Sequence, residues 1–271
     1  MPEPVAHCPE IVIDQVHKSF GDHPVLSGVD LTINRGELVA IVGGSGCGKT
    51  VLLKLVTGHL LPDAGRILIA DHESPDSPLR DITRMSDDEM DRLRAHWAVV
   101  FQRNALLSGT VYDNLSLLPT ETKAMDQDEI GPLARGALEA VGLDPDAVMN
   151  QPREALSGGM AKRLAIARAL VLDPVLIFYD EPTSGLDPEM SSVIHSLIQR
   201  THEATPGLGI PRTSVVVTHD TELLRKLQPR VVMLYDGKVL FSGSFGDFSG
   251  SKDPHIEPYL RQMPTLQELH R

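Results

Sequence analysis

The sequence is poor in aromatic residues and cysteines and has no long apolar run, and each shortage excludes a class of protein. Aromatic residues make up only 4% of the 271 residues, which favours an aliphatic α/β core over an aromatic-rich binding surface. The two cysteines, Cys8 and Cys47, do not suggest a disulfide framework, so a reducing cytosol fits best. No apolar run approaches the length of about 18 residues that a membrane-spanning helix needs. A function at a membrane would therefore require a partner protein.

Positive charge is also scarce. The formal net charge is −12 and the isoelectric point is about 5.3. Nucleic-acid binding usually needs a basic face, so the charge balance opposes a nucleic-acid partner. The N-terminus, Met1 to Cys8, lacks the basic and apolar regions of a signal peptide. We therefore expect no nucleic-acid partner and no secretory targeting.

Short apolar runs alternate with segments of helical periodicity, which predicts an α/β fold with a mostly parallel sheet. The runs predicted as buried core strands are Glu37 to Val42, Leu176 to Tyr179 and Val215 to Thr218. A terminal hairpin is predicted around Asp236-Gly237. Residues from about 104 to 170 have helical periodicity, whereas Asp71 to Arg84 is rich in Asp, Ser and Pro and is predicted to be an exposed connection.

A glycine-rich phosphate loop follows the first core strand directly and precedes a predicted helix. Its residues, which fit G-x-x-x-x-G-K-[ST], are Gly43, Gly44, Ser45, Gly46, Cys47, Gly48, Lys49 and Thr50. Glycines let the backbone N–H groups surround a phosphate, and the helix adds its positive end. Lys49 would reach the β- and γ-phosphates, and the Thr50 hydroxyl would ligate Mg²⁺. The motif predicts a nucleoside triphosphate ligand without choosing among P-loop families.

Two further motifs follow along the chain. The element Leu156-Ser157-Gly158-Gly159-Met160 precedes a helical run, and Ser157 is predicted as its N-cap. A capped helix start beside glycines is a potential anion site. The predicted strand Leu176 to Tyr179 then ends in the acid pair Asp180-Glu181.

With these three motifs in this order, the chain resembles the ATP-binding cassette (ABC) ATPase family over about residues 11 to 243. The resemblance implies an α/β P-loop NTPase of the ABC type, with a mostly parallel core sheet, an antiparallel β subdomain and a helical subdomain at about 104–170. Residues 1–243 would form the ATPase domain, and 244–271 would form a short C-terminal extension.

The resemblance also implies the catalytic and metal-binding residues. Asp180 would hold Mg²⁺ together with Thr50 and Gln102, and Gln102 would also touch the attacking water. Glu181 would polarise that water, and His219 would contact the γ-phosphate. Lys49 completes the predicted catalytic set.

Other residues would contact ATP itself. Phe20 matches the aromatic residue that stacks on adenine. By resemblance, Ser157, Gly158 and Gly159 face the γ-phosphate of ATP bound to a second subunit. The family pattern therefore implies a homodimer with two ATP molecules at its interface, and ATP and Mg²⁺ as the ligands.

Softer similarities point to one branch of the family. Met160 stands where the family often has glutamine, and the segments that look like the MCE/Mla-type lipid-transport branch are 101–107, 110–115, 160–163 and 253–256. We therefore expect a peripheral protein at the cytoplasmic face of the inner (plasma) membrane that energises lipid transport through a separate permease. An MCE-type substrate-binding protein and a small regulatory subunit are further expected partners.

Three other functions stay open. An ATPase of a polar-solute importer, for example one for an amino acid, would share every catalytic residue. A soluble ABC protein that acts on DNA, ribosomes or a regulatory target is disfavoured by the acidic charge balance. A nucleotide-binding structural protein without hydrolysis is disfavoured by the presence of Glu181 and His219.

The C-terminal extension is the least informative part of the sequence. It could be disordered, or it could lie across a partner cassette with Tyr259, Leu260 and Met263 as contacts.

Overall fold

The structure is a computed structural model that describes residues 8–74, 76–102 and 105–261. The chain divides into two compact units, one comprising Met1–Leu93 with Thr213–Arg271 and the other Arg94–Arg212. Among the helices of the described residues, none combines the length and apolar character needed to span a membrane.

Strands and helices alternate along the chain. The strands are β1 (Pro9–Phe20), β2 (His23–Asn34), β3 (Leu38–Val42), β4 (Ala64–Ala70), β5 (Leu79–Asp81), β6 (Trp97–Val100), β7 (Leu176–Asp180), β8 (Thr213–Val217), β9 (Arg230–Tyr235) and β10 (Lys238–Ser244). The helices are α1 (Lys49–Val56), α2 (Asp87–Arg94), α3 (Val111–Lys123), α4 (Gln127–Ala140), α5 (Pro145–Val148), α6 (Gly158–Leu170), α7 (Pro188–Glu203), α8 (Thr221–Leu227), α9 (Phe245–Ser249) and α10 (Ile256–Arg261).

The first unit contains an antiparallel sheet with the strand order β2-β1-β4-β5. Ile11 of β1 pairs with Ile33 of β2 and with Ile69 of β4, and all three side chains are buried. Alternation along the strands places such residues on one face, which forms the apolar layer of this sheet. The antiparallel β subdomain implied by the family resemblance is confirmed.

One expectation for this region is only partly correct, although most of the described residues involved are exposed or half-buried. The segment Asp71 to Arg84 is not simply an exposed connection, because β5 pairs with β4 and a 3₁₀ turn follows at Ile82–Arg84. Ile82 and His72 are buried. A three-residue strand is too short to produce a readable periodicity, so the paired partner, rather than the local sequence, determines this element.

The core strands of the first unit have the order β10-β9-β3-β8. β3 runs parallel to both β8 and β9, with Ile41 opposite Val217 and Val42 opposite Met233. β9 and β10 form the predicted antiparallel hairpin. Parallel strands present their carboxyl ends at one edge, so β3 delivers the phosphate loop and β8 delivers His219 to the same edge of the sheet.

In the second unit, β6 and β7 are parallel, with Trp97 opposite Leu176 and Val100 opposite Tyr179. Helices α3 to α6 lie between these strands in the chain and confirm the predicted helical subdomain. The buried Arg212 side chain donates hydrogen bonds to the carbonyls of Pro174 and Thr201, at 2.8 and 2.6 Å. These bonds fasten the C-terminal end of the unit to the start of β7 and to α7.

The described part of the C-terminal extension packs on its own chain. The Phe248 ring in α9 lies 5.3 Å from the Phe241 ring and 6.1 Å from the Tyr259 ring, between centroids. The His255 ring lies 4.7 Å from that of Tyr235. The described residues of the extension therefore pack against the β9–β10 hairpin. A contact of this tail with a partner cassette stays a prediction, and Met263 lies outside the described residues.

Candidate functional site

The phosphate loop closes around its lysine. Lys49 is the first residue of α1, and its Nζ donates hydrogen bonds to the Gly43 carbonyl at 2.8 Å and the Gly44 carbonyl at 3.0 Å. Gly44, Ser45 and Gly46 are exposed. The loop therefore surrounds a fixed positive charge and presents its outer residues to solvent, as an anion site requires.

Two glycines of the loop are required by the fold itself. Gly43 has φ +145°, and a Cβ there would lie 2.4 Å from the Leu234 carbonyl oxygen and 2.7 Å from the Cys47 Sγ. Gly48 has φ +102°, and a Cβ would lie 2.7 Å from Leu26 Cδ2. Gly44 differs, because a Cβ at that position would meet nothing within 4 Å.

This difference predicts unequal stability of two alanine variants. Gly43→Ala is expected to lower the free energy of unfolding by at least about 2 kcal/mol, because overlap with the Leu234 carbonyl adds to the strain of a positive φ. Gly44→Ala, the matched control, is expected to stay within about 0.5 kcal/mol of the wild type. Urea unfolding midpoints of the nucleotide-free proteins measure both changes, and equal midpoints would show that the steric argument is incorrect.

The other predicted site residues of the first unit are accessible. Thr50 is exposed in the first turn of α1, and His219 is exposed two residues after β8 ends. The Phe20 side chain is 51% exposed at the end of β1, with Lys18 Nζ 5.7 Å from the ring centroid. An exposed phenylalanine ring can stack on a planar ligand, so the geometry is compatible with the predicted adenine contact.

In the second unit, Ser157 caps α6 as predicted. Its Oγ accepts a hydrogen bond from the Met160 N–H at 3.3 Å, and the helix starts at Gly158 rather than at Met160. A Cβ at Gly159 would lie 2.6 Å from the Met190 side chain of α7, whereas a Cβ at Gly158 would meet nothing within 4 Å. Gly159 thus packs against its own chain, and Ser157 and Gly158 form the exposed surface of this motif.

Asp180 is the last residue of β7, and Glu181, which follows it, has an unusual backbone conformation. Glu181 has φ +46°, which places a residue with a side chain in the left-handed region. A turn follows, in which the Ser184 N–H donates to the Glu181 carbonyl at 3.1 Å. Such strained residues persist where the surrounding structure enforces them and often lie at active sites. The sequence motif indicated Glu181 as a site residue but not this conformation.

Gln102 is linked to the same turn. Its side-chain Nε2 donates to Ser184 Oγ at 3.2 Å, so the structure brings Gln102 to the loop that follows Glu181. Ser184 was not predicted as a contact of Gln102, and no local sequence signal identifies it, since the two residues are distant in the chain. Gln102 itself is exposed.

A buried lysine, which was missed from sequence, also contacts this region. Lys162 Nζ donates to the Gln102 carbonyl at 3.1 Å. Burial lowers the pKa of the Lys162 ammonium, and attraction to the Asp180 carboxylate opposes that shift. Helical spacing could have indicated that Lys162 is buried. Lys162 lies four residues before the buried Ile166 and so shares the apolar face of α6.

The predicted metal ligands Thr50, Gln102 and Asp180 all offer oxygen atoms, the donors that Mg²⁺ prefers. Within residues 8–74, 76–102 and 105–261, no three His, Cys, Asp or Glu side chains form a group that could hold a metal by themselves. Mg²⁺ commonly binds through one or two protein oxygens together with substrate phosphates and water. The residues present therefore fit a Mg²⁺ ion that arrives with a nucleotide.

Comparison with known proteins assigns the chain to a family. Residues 26–184 match the family model described as ABC transporter. The chain is 36% identical to Protein TRIGALACTOSYLDIACYLGLYCEROL 3, chloroplastic, of Arabidopsis thaliana over 90% of this chain and 71% of that protein. It is 37% identical to the intermembrane phospholipid transport system ATP-binding protein MlaF of Haemophilus influenzae, over 89% of this chain and 86% of that protein. It is also 35% identical to the histidine transport ATP-binding protein HisP of Pseudomonas aeruginosa, over 86% of this chain and 89% of that protein.

A solved structure supports the same assignment. A dimeric ATP-binding cassette in a post-hydrolysis state, bound to ADP and Pi, superimposes with a TM-score of 0.73 and 30% identity, over 87% of this chain and 98% of that one. The predicted α/β cassette fold is thereby confirmed. The chain belongs to the ABC transporter family as an ATP-binding protein, an ATPase that hydrolyses ATP to drive transport.

Proposed function

We propose that this ATPase energises phospholipid transport through a separate permease. The observation that carries the proposal is the similarity to the intermembrane phospholipid transport ATP-binding protein, which extends over 89% of this chain and 86% of that relative. Met160, in the first turn of α6, fits the same branch, because the wider family often has glutamine there. The proposed location is the cytoplasmic face of the inner (plasma) membrane, with the protein bound peripherally to its permease.

The proposed ATP contacts follow from the loop geometry. The backbone N–H groups of Gly43–Thr50 and the N-terminal end of α1 bind the phosphates, with Lys49 as the fixed charge at the centre of the loop. The exposed ring of Phe20 stacks on adenine. Stacking tolerates any base, so this contact contributes affinity more than base selectivity.

Hydrolysis needs a positioned water and neutralisation of phosphate charge. Glu181 is the proposed base that orients the water, and Gln102 and His219 hold the reacting groups in place. Asp180, Thr50 and Gln102 are the proposed ligands of Mg²⁺, which supplies positive charge to the phosphate oxygens when it is bound. Lys49 adds a further positive charge from the phosphate loop.

A second copy of the chain is the proposed dimer partner. Ser157 and Gly158 are exposed, and the capped start of α6 offers N–H groups to an anion on a partner molecule. A two-fold arrangement would let each copy complete the site of the other. ATP stabilises the closed dimer only through contacts made in that state, so hydrolysis favours reopening. The permease, an MCE-type substrate-binding protein and a small regulatory subunit are the further proposed partners.

A polar-solute importer is the second candidate function. The similarity to the histidine transport ATP-binding protein, at 35% identity, is close to that of the phospholipid relatives. Since both functions use the same ATPase residues, only the membrane partner and its cargo distinguish them.

Affinity purification from the native membrane tests the proposal. The tagged chain is isolated in mild detergent, and co-purifying proteins and lipids are identified by mass spectrometry, with the untagged strain as control. We expect a permease, an MCE-type protein and bound phospholipid. A permease with a soluble solute-binding protein would establish the importer function instead, and the absence of any membrane partner would contradict both.

A further inference from the structure

Side chains bind the main chain of the segment that follows β6. In residues 101, 102 and 105–107, every carbonyl oxygen accepts a hydrogen bond from a side chain. Lys162 donates to Phe101 and Gln102, Arg168 to Ala105, Arg153 to Leu106, and Asn114 to Leu107. We call these four side chains the carbonyl clamp. The described residues of this segment have no regular secondary structure, so the carbonyl clamp helps to fix their path.

Lys162 is the most buried cation of the carbonyl clamp. Its side chain is 2% exposed, and its Nζ lies 3.3 Å from the Phe101 oxygen and 3.1 Å from the Gln102 oxygen. Burying an ammonium group is costly unless hydrogen bonds and opposite charge compensate. Here two carbonyls and the negative charge of Asp180 provide that compensation. Methionine would fill similar space without this cost, so the charge indicates a role for the hydrogen bonds themselves.

The position of Lys162 connects three parts of the candidate site. Lys162 belongs to α6, the helix that Ser157 caps. It holds the main chain of Gln102, whose side-chain amide donates to Ser184. Ser184 in turn donates its N–H to the Glu181 carbonyl. A continuous path of hydrogen bonds therefore joins the capped helix, Gln102 and the turn at the proposed base.

We propose that Lys162 is a positioning residue for ATP hydrolysis that fixes the Gln102 main chain to the helix capped by Ser157. Displacement of α6 then displaces Gln102, and through Ser184 it shifts the turn at Glu181. This role rests on the ATPase function and on the proposed part of Gln102 in it. The phosphate loop lies outside the path, so loss of Lys162 affects the turnover number rather than ATP affinity.

The test compares Lys162→Met with Lys162→Arg in the full chain. Small misplacements of catalytic groups can lower rates by about 100-fold, so we expect Lys162→Met to lower kcat about 10- to 100-fold. We expect KM for ATP to change less than about twofold, since misplacing a transition-state group leaves ground-state binding intact. Lys162→Arg retains a cation with several donors and is expected to recover part of kcat, since the larger guanidinium does not fit the buried site as well as the ammonium does.

Arg163→Met is the matched control. Arg163 is the next residue of α6, and its guanidinium donates to the Gly142 carbonyl at 2.8 Å, away from the carbonyl clamp. The substitution removes a cation and a hydrogen bond to a carbonyl from the same helix. We expect kcat to stay within about twofold of the wild type. Hydrogen exchange gives a second readout: the amides of residues 101, 102 and 105–107 are expected to exchange faster in Lys162→Met and at the wild-type rate in Arg163→Met.

Several results would overturn the assignment. Unchanged kcat in Lys162→Met, an equal loss in Arg163→Met, or unchanged exchange at residues 101, 102 and 105–107 each contradicts a positioning role. Failure of Lys162→Arg to recover activity would also count against it. Wild-type and Glu181→Gln proteins are measured alongside. If the wild type turns over ATP and Glu181→Gln does not, the ATPase function holds even if the proposed role of Lys162 is refuted.

Discussion

Glu181→Gln is expected to lower kcat for ATP hydrolysis about 100- to 10,000-fold, the range that general-base catalysis contributes. The amide keeps the size of the side chain but cannot accept a proton from water. ATP binding is expected to survive, because Lys49 and the phosphate loop are unchanged. The ATP-bound protein should therefore accumulate as a dimer, measurable by phosphate release together with light scattering after gel filtration.

Glu139→Gln provides the control for the charge change. Glu139 is an exposed residue near the C-terminal end of α4, and its substitution is expected to leave kcat unchanged.

A second substitution tests the dimer surface. In the Glu181→Gln protein, Gly158→Glu is expected to abolish the ATP-dependent dimer, because it places a negative charge on the surface that would face phosphate. The chain is expected to stay folded, because Gly158 is exposed and a Cβ there would meet nothing within 4 Å. Sustained wild-type turnover in Glu181→Gln would refute the role of Glu181.

Lys49→Met is expected to weaken ATP binding about 100-fold. Two charge-assisted hydrogen bonds from the ammonium to phosphate are worth about 1.5 kcal/mol each, and every 1.4 kcal/mol is a factor of ten in the dissociation constant. The carbonyls of Gly43 and Gly44 hold Lys49 at the centre of the loop, and residues 43–50 contain no other basic side chain that could replace its charge. Isothermal titration with ATP measures the change.

Lys54→Met is the matched control for Lys49. Lys54 is an exposed lysine in the last turn of the same helix, α1, so the substitution removes an equal charge without touching the loop. We expect its ATP affinity to match that of the wild type. Equal weakening in both variants would mean that net charge, and not the loop geometry, determines ATP affinity.

The elements that sequence predicted correctly are those determined by local chemistry. The phosphate loop needs glycine at Gly43 and Gly48 because the backbone there takes positive φ values and approaches its neighbours closely. Ser157 caps α6 through a hydrogen bond within one helical turn. Both signals are contained in a few adjacent residues, so the motif and its geometry coincide.

The features that sequence did not predict depend on distant contacts. β5 exists because β4 offers it a partner, not because Leu79–Asp81 has a strand pattern. The positive φ of Glu181 and the contact of Gln102 with Ser184 likewise arise from the packed unit. Lys162 was also missed, although its helical spacing from Ile166 was a signal that it shares the apolar face; the carbonyls that it binds could not be read from the sequence.

Phospholipid transport driven by ATP hydrolysis is the function that we propose for this chain. Its most direct test is the ATPase rate of the native complex, purified with its permease and reconstituted in phospholipid nanodiscs, with the wild-type chain and with Glu181→Gln. We expect turnover that responds to the phospholipid composition, does not respond to added histidine, and disappears in the variant. Turnover that is equal in the two proteins, or that responds only to an amino acid, would contradict it.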